Sequence, residues 1–336
     1  MIKIGILGAT GYTALELIKI LLRHPEAEIV AVTSRQADQP HVGDTHHQLA
    51  GRLDLRLENC EPEELADRVD CVFSCLPHAA SASFIKPLAD LGKRVIDFSA
   101  DYRLRDCETY VAWYGGTHPD PSRVGRVPYG LPEWFREEIK KANLIANPGC
   151  YPTSAILALA PLLKAGVVAA EDLIIDSKSG VSGAGRTPKL GTLFPECNES
   201  FSAYGVGQHR HSPEIQQLLG LASGTHPTLI FTPHLVPMDR GILTTAYARL
   251  VGKPSTSELL DLLRETYRAE PFVQVVSHLP ATKDTSHTNF CHVTARVVGD
   301  RAITISVIDN LIKGASGAAV QNFNLLYGFP ETMALL

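Results

Sequence analysis

Ile2-Lys3-Ile4-Gly5-Ile6-Leu7-Gly8-Ala9-Thr10-Gly11-Tyr12-Thr13-Ala14 opens the chain, and its reading sets the expected fold. An apolar, strand-like run at 2–7 passes straight into a glycine turn, and the turn into a helical pattern at 12–23. Gly8 and Gly11 let the backbone turn tightly and approach a pyrophosphate. The charge of that group then meets free N–H groups and the positive end of a helix. Thr10, Tyr12 and Thr13 lie on the same expected contact surface. A glycine pattern alone is weak, but this one lies between strand and helix at the start of a strand-helix-strand unit, the context a dinucleotide site requires. Ala14 stands where many such motifs carry a third glycine, at a position that serves helix packing and tolerates alanine.

The next apolar run, 28–33, ends in Thr33-Ser34-Arg35. Sites that select NAD often place an acidic residue here, whereas a hydroxyl followed by a guanidinium suits the 2′-phosphate of NADP. Strand-like runs continue at 70–75, 93–98 and 143–146, with helical patterns at 79–91 and 132–141, and predict a parallel sheet wrapped by helices. After Cys150 the pattern changes. A strong helix at 153–164 precedes longer strand-like stretches at 229–236, 241–251, 290–298 and 302–309, the last two joined by a Gly299-Asp300-Arg301 turn. The expected class is therefore α/β: a Rossmann-type dinucleotide-binding domain plus an α+β catalytic domain with a mainly antiparallel sheet. The small-residue-rich pattern at 313–327 is expected to pack back on the first domain. This predicts an NADP-binding domain over 1–149 and about 313–336, and a catalytic and oligomerisation domain over 150–312.

The 336 residues are 45% hydrophobic, enough for one large domain or two ordinary ones. A formal charge of −5 with no basic run argues against nucleic acid and for a small-molecule partner. No charged-then-apolar leader and no run near the ~20 residues of a membrane span is present, which predicts a cytoplasmic protein with no membrane partner. The seven cysteines are scattered and lack C-x-x-C spacing, so most are expected to be reduced, inert thiols.

Cys150 is the exception. Asn147-Pro148-Gly149-Cys150-Tyr151-Pro152-Thr153 sets it between a strand and a long apolar helix, where the helix dipole stabilises a thiolate. Gln208-His209-Arg210-His211-Ser212-Pro213-Glu214 offers imidazoles that can exchange a proton near neutrality, just before a helical pattern at 213–219. A metal on the His-x-His pair is ranked lower, since no carboxylate or cysteine completes a ligand set, and no metal is expected. His46-His47 reads as a polar loop. Lys178-Ser179-Gly180-Val181-Ser182-Gly183-Ala184-Gly185-Arg186 and Asp101-Tyr102-Arg103-Leu104-Arg105 combine cations with hydroxyls or bare backbone and can surround a phosphate or carboxylate.

Together with Cys75-Leu76-Pro77-His78, Asp97 to Arg103 and Asp309 to Ala315, these motifs resemble the N-acetyl-γ-glutamyl-phosphate reductases, relatives of aspartate-semialdehyde dehydrogenase, essentially from end to end. The resemblance implies NADPH reduction of an acyl phosphate to an aldehyde in a homodimer or homotetramer. Cys150 would be the nucleophile and His211 the acid/base, with His209 less favoured. Gly8, Thr10, Gly11, Tyr12, Thr13, Ser34, Arg35, Leu76, Pro77, Ser179, Gly180, Asn310, Lys313 and Gly314 would hold NADP. Arg103, Arg105, Asn147, Lys178, Arg186 and His209 would meet the substrate. Ala14 departs from the family's usual glycine. Three rivals stand beside this reading: another acyl phosphate (aspartyl, or a carrier-borne aminoadipyl), a Cys-His hydrolase, which needs no dinucleotide loop, and a non-catalytic NADP-binding protein, which needs no thiol at a helix start.

Overall fold

The computed structural model describes residues 1–35 and 38–336. The chain divides into two compact units, unit 1 comprising 1–148 with 315–336 and unit 2 comprising 149–314.

Unit 1 runs β1 (Ile2–Leu7), α1 (Tyr12–Leu21), β2 (Ala27–Thr33), α2 (Val42–Thr45), β3 (Leu57–Glu58), α3 (Pro62–Ala66), β4 (Cys71–Ser74), α4 (Ser81–Asp90), β5 (Arg94–Asp97), α5 (Cys107–Tyr114), α6 (Pro132–Lys140) and β6 (Leu144–Ala146), and closes with the C-terminal helix Gly317–Tyr327. Its six strands are ordered β3-β2-β1-β4-β5-β6 and all pair in parallel. Neighbours on β4 face opposite ways, as pleating demands. Val72 joins a core with Leu65, Ile85 and Leu88 of the α3–α4 layer, while the Phe73 ring lies 5.7 Å from Phe323 of the C-terminal helix. In a parallel sheet every strand's C-terminal end lies on one edge. This order brings the ends of β2, β1 and β4 side by side where the direction of winding reverses.

Unit 2 runs α7 (Cys150–Lys164), β7 (Leu173–Gly180), α8 (Phe194–Cys197), β8 (Ser202–Ala203), α9 (His211–Ser223), β9 (Leu229–Val236), β10 (Ile242–Arg249), α10 (Thr256–Thr266), β11 (Val273–Val275), β12 (Cys291–Val298) and β13 (Arg301–Ile308). The expected mainly antiparallel sheet is mixed: in the order β11-β12-β13-β10-β7-β9-β8, β7 pairs with β9 and β11 with β12 in parallel, and the other pairings are antiparallel. All residues from Tyr151 to Leu163 of α7 are buried. A helix apolar on every side needs cover on every side. Hydroxyls tie it to the sheet, with Ser154 2.7 Å from Thr244 on β10 and the Ser306 hydroxyl of β13 donating to the Ser154 carbonyl at 2.9 Å.

Several boundaries differ from expectation by a few residues. Arg301 already belongs to β13, so Gly299-Asp300 alone turns the hairpin, with Gly299 at φ +60. The helix expected from residue 213 begins at His211, because Pro213 is tolerated inside a first turn. The last helix begins at Gly317, after a wide turn at Ile312–Ser316. No helix among the described residues is long and apolar enough to cross a membrane.

Candidate active site

Unit 1 carries the expected dinucleotide site at the strand edge just described. Gly8 follows β1 at φ +71, and a Cβ there would meet the Cys75 carbonyl oxygen at 2.8 Å, so neither its backbone conformation nor its space admits a side chain. Gly11 caps α1 without any side-chain cap. The first N–H groups of α1 are thereby left to an anion. The loop is braced: the Ala9 N–H donates to the Thr33 carbonyl at 2.9 Å, and its carbonyl lies 2.8 Å from Nε2 of buried His46. His46 is thus no polar loop residue. Its ring holds the glycine turn, which no local pattern revealed. Gly8, Thr10, Ser34, Arg35, Leu76 and Pro77 line one cavity of about 430 Å³. These features fit a dinucleotide with its 2′-phosphate toward Ser34 and exposed Arg35. Arg35→Ala is expected to weaken NADPH about ten- to a hundredfold, near the lower figure at physiological salt, while NADH barely changes. Equal losses in titrations with both nucleotides would assign Arg35 to the fold instead.

Arg103 and Asn147 are also brought together in unit 1, but mainly as internal ties. The buried Arg103 guanidinium donates to the carbonyls of Asn147 at 2.8 Å and Phe98 at 2.6 Å. The Asn147 amide, fully buried, donates to the Ala315 carbonyl at 3.0 Å and accepts from Asn322 at 3.1 Å. Arg105 is exposed and donates to the Gly125 carbonyl at 3.3 Å.

Unit 2 holds the candidate nucleophile and acid/base. Cys150 is the first residue of α7 and His211 the first of α9. The two helix starts are tied together, because the Gly149 N–H, one residue before the cysteine, donates to Oε1 of Glu214 at 3.0 Å. Glu214 is buried and lies three residues after His211, on the same face of the helix. Sequence reading missed this carboxylate, although its spacing from His211 was available as a signal. A Cβ on Gly314 would fall 2.8 Å from that of Cys150, so bare backbone packs against the thiol-bearing carbon.

The Tyr151 ring lies 5.5 Å from His209 and 5.8 Å from His211. Tyr204 and Phe231 complete an aromatic surround for His209, each ring 5.4 Å away. Burial, helped by Arg210, pushes His209 down to about 4. Its Nδ1 accepts the His211 N–H at 3.1 Å, which leaves the ring proton on Nε2. His209 is therefore a neutral support for the turn that carries His211.

The remaining expected ligand residues lie in unit 2. Strand alternation turns Lys178 away from buried Ser177 and Ser179, and its Nζ lies 2.5 Å from Asp176 Oδ1. Asn310 accepts the Gly241 N–H at 2.8 Å and donates to Ser182 Oγ at 3.0 Å, tying the turn before β10 to the segment after β7. Lys313 is fully buried, with Nζ 5.7 Å from the Phe272 ring centre. Ser179 is buried, with its hydroxyl donating to the Gly180 carbonyl at 3.0 Å, and Gly180 is pressed against Asp239, whose carbonyl oxygen a Cβ would meet at 2.5 Å. Arg186 is exposed on the segment that follows. Asp309 opens the 309–315 motif, where the sequence assigns it no role of its own. Fully buried, it accepts the N–H groups of Leu311 and Ile312 at 2.8 and 3.0 Å and of His287 at 2.7 Å, and so shapes the turn leading to Gly314.

Two family models match: the semialdehyde dehydrogenase NAD-binding domain over 3–142 and the semialdehyde dehydrogenase dimerisation domain over 150–310. The chain is 54% identical over 340 residues to an N-acetyl-gamma-glutamyl-phosphate reductase of Rhodopirellula baltica, covering 100% of this chain and 98% of that protein. It is 49% identical to one of Geotalea daltonii with the same coverage. Among solved structures, aspartate semialdehyde dehydrogenase II of Vibrio cholerae, complexed with ASA, aligns with TM-score 0.73 at 17% identity over 98% of both chains. Aspartate semialdehyde dehydrogenase with NADP from Candida albicans aligns with TM-score 0.73 at 18% identity, covering 97% of this chain and 98% of that one.

Proposed function

We propose, from the premise that this chain belongs to the semialdehyde dehydrogenase family, that it reduces N-acetyl-L-glutamyl 5-phosphate to N-acetyl-L-glutamate 5-semialdehyde and phosphate with NADPH, a step of arginine biosynthesis. The observation that carries the chemistry is the seating of Cys150 at the start of α7, against the backbone of Gly314 and tied through Gly149 and Glu214 to the start of α9. His211 takes the thiol proton, and the thiolate of Cys150 attacks the acyl carbon. The carbon–oxygen bond to phosphate breaks, and His211 gives its proton to the departing oxygen. NADPH, when bound along the glycine turn of unit 1, supplies the hydride that reduces the resulting thioester. The oxyanion on the Cys150 adduct then reforms a carbonyl, the carbon–sulfur bond breaks, and the thiolate leaves with the aldehyde released. A reduced nucleophilic thiol suits the cytoplasm. Ile174 and its strand partner Ile230, at 41% and 61% exposure, suit contact with a second copy of the chain in a homodimer or homotetramer.

The reaction run backwards tests this reading. With semialdehyde and NADP but no phosphate, NADPH is expected as a burst approaching one equivalent per Cys150, followed by slow turnover. Phosphate or arsenate should restore steady turnover, because the thioester awaits that anion. Rapid-mixing absorbance at the nicotinamide band reads both phases. Continuous turnover in phosphate-free buffer would sink the acyl-phosphate mechanism. In the forward direction, faster NADPH consumption with an aspartyl or carrier-borne aminoadipyl phosphate would reassign the substrate.

A further inference from the structure

The segment 276–290, between β11 and β12, carries no part of the chemistry above, yet it is held at several points within unit 2. The Val276 N–H donates to the Val293 carbonyl at 2.9 Å, and the Arg296 guanidinium to the Ser277 carbonyl at 2.5 Å. Thr282 seats against Gly241 so closely that a Cβ on that glycine would lie 2.8 Å from its own Cβ, and the His287 N–H is taken by buried Asp309 at 2.7 Å. Asp284 is fixed in turn, its Oδ2 accepting the Ala281 N–H at 2.8 Å.

These ties bring His278 and Asp284 to His292 on β12. His278 Nε2 stands 3.8 Å from Asp284 Oδ2, and one ligand atom from each of the three side chains lies within 4.8 Å of the others. Among the described residues no other group of three or more His, Cys, Asp or Glu side chains meets this spacing. In addition, Nδ1 of His292 is buried without a hydrogen-bond partner. An orphaned buried polar atom is costly, and a cation would satisfy it.

We propose that His278, Asp284 and His292 bind a divalent late first-row metal ion of the zinc type. Two imidazoles and one carboxylate are borderline nitrogen and oxygen donors. They favour zinc, cobalt, nickel or copper over magnesium or calcium, which want oxygen cages. Because His278 and Asp284 are exposed, a fourth position stays open to water. The ion joins the 276–290 segment to β12, and through His287 that segment meets Asp309, which shapes the approach to Gly314. The sequence, in which only the His209-x-His211 pair was weighed as a metal site, gave no sign of this group, since its members converge only through the folding of the segment.

The test uses the full chain carrying Cys150→Ser, so that the catalytic thiol cannot compete for metal. After chelator treatment, Zn2+ is titrated calorimetrically and Co2+ by visible absorption. One equivalent is expected to bind, with cobalt bands of low coordination number, no thiolate charge-transfer band, and a rise in melting temperature. His278→Ala, at an exposed position, and His292→Ala should each weaken binding at least about tenfold. His226→Ala, at an exposed histidine elsewhere, should leave it unchanged. Absence of saturation at millimolar Zn2+, a thiolate–cobalt band, or undiminished affinity in His278→Ala would overturn the proposal.

Discussion

Cys150→Ser is expected to lower turnover by at least about four orders of magnitude, the scale on which loss of a nucleophile is felt, while NADPH affinity stays nearly unchanged. The two side chains are almost isosteric, so a purely structural role would survive the exchange. A hydroxyl forms far less anion than a thiol, so a nucleophilic role would not. The nucleotide loop belongs to unit 1, whereas Cys150 belongs to unit 2. Three thiols of unit 1 are poor nucleophiles by comparison. Burial pushes Cys60 up to about 11 and both Cys71 and Cys75 up to about 12, so all three remain protonated at neutral pH. Steady-state NADPH oxidation together with a nucleotide fluorescence titration reads both quantities. Appreciable turnover in the variant would remove Cys150 from the mechanism.

His211→Asn is expected to cost about a hundred- to ten-thousandfold in kcat, the range for a positioned acid/base. His209→Asn should cost less and act mainly through KM and stability. The distinction rests on environment. His209, pushed down to about 4 by burial and then by Arg210, stays neutral through the working pH range and spends Nδ1 on the His211 N–H. Any change of activity with pH near neutrality should therefore persist in His209→Asn. Such a profile separates proton transfer from support, which a rate alone does not. If His209→Asn abolished the neutral-pH dependence and His211→Asn kept it, the two roles would be exchanged.

Much of this was legible because local chemistry and global fold agree at the decisive points. The glycine turn after β1 needs φ +71 at Gly8 and an uncapped helix start at Gly11, demands that only particular residues meet and that a reader of sequence can recognise. The Cys150 helix announces itself in the same way, by glycine and proline at its start and an unbroken apolar run behind them. The α10 helix was passed over despite the Ser255-x-x-Glu258 capping box that begins it. Less legible were partnerships between segments distant in the chain. Lys178 looked like a neighbour of Ser179, yet pleating sends adjacent strand residues to opposite faces, and the face was settled by what packs beneath β7.

The family resemblance implied ligand contacts for Asn147, Asn310 and Lys313. The tertiary structure buries them, and a buried polar group must find its hydrogen bonds inside. The sequence by itself determined the strand-turn-helix units of unit 1, the glycine turn after β1 and the helix that starts beside Cys150, because these follow from backbone geometry and periodicity over a few residues. Only the tertiary structure decided that His46 braces the Ala9 carbonyl, that Glu214 joins two helix starts, that Gly314 packs on Cys150 and that His278, Asp284 and His292 meet. Each is a contact between separate segments, and its energy comes from burial and hydrogen bonding that exist only once the sheet has brought those segments together.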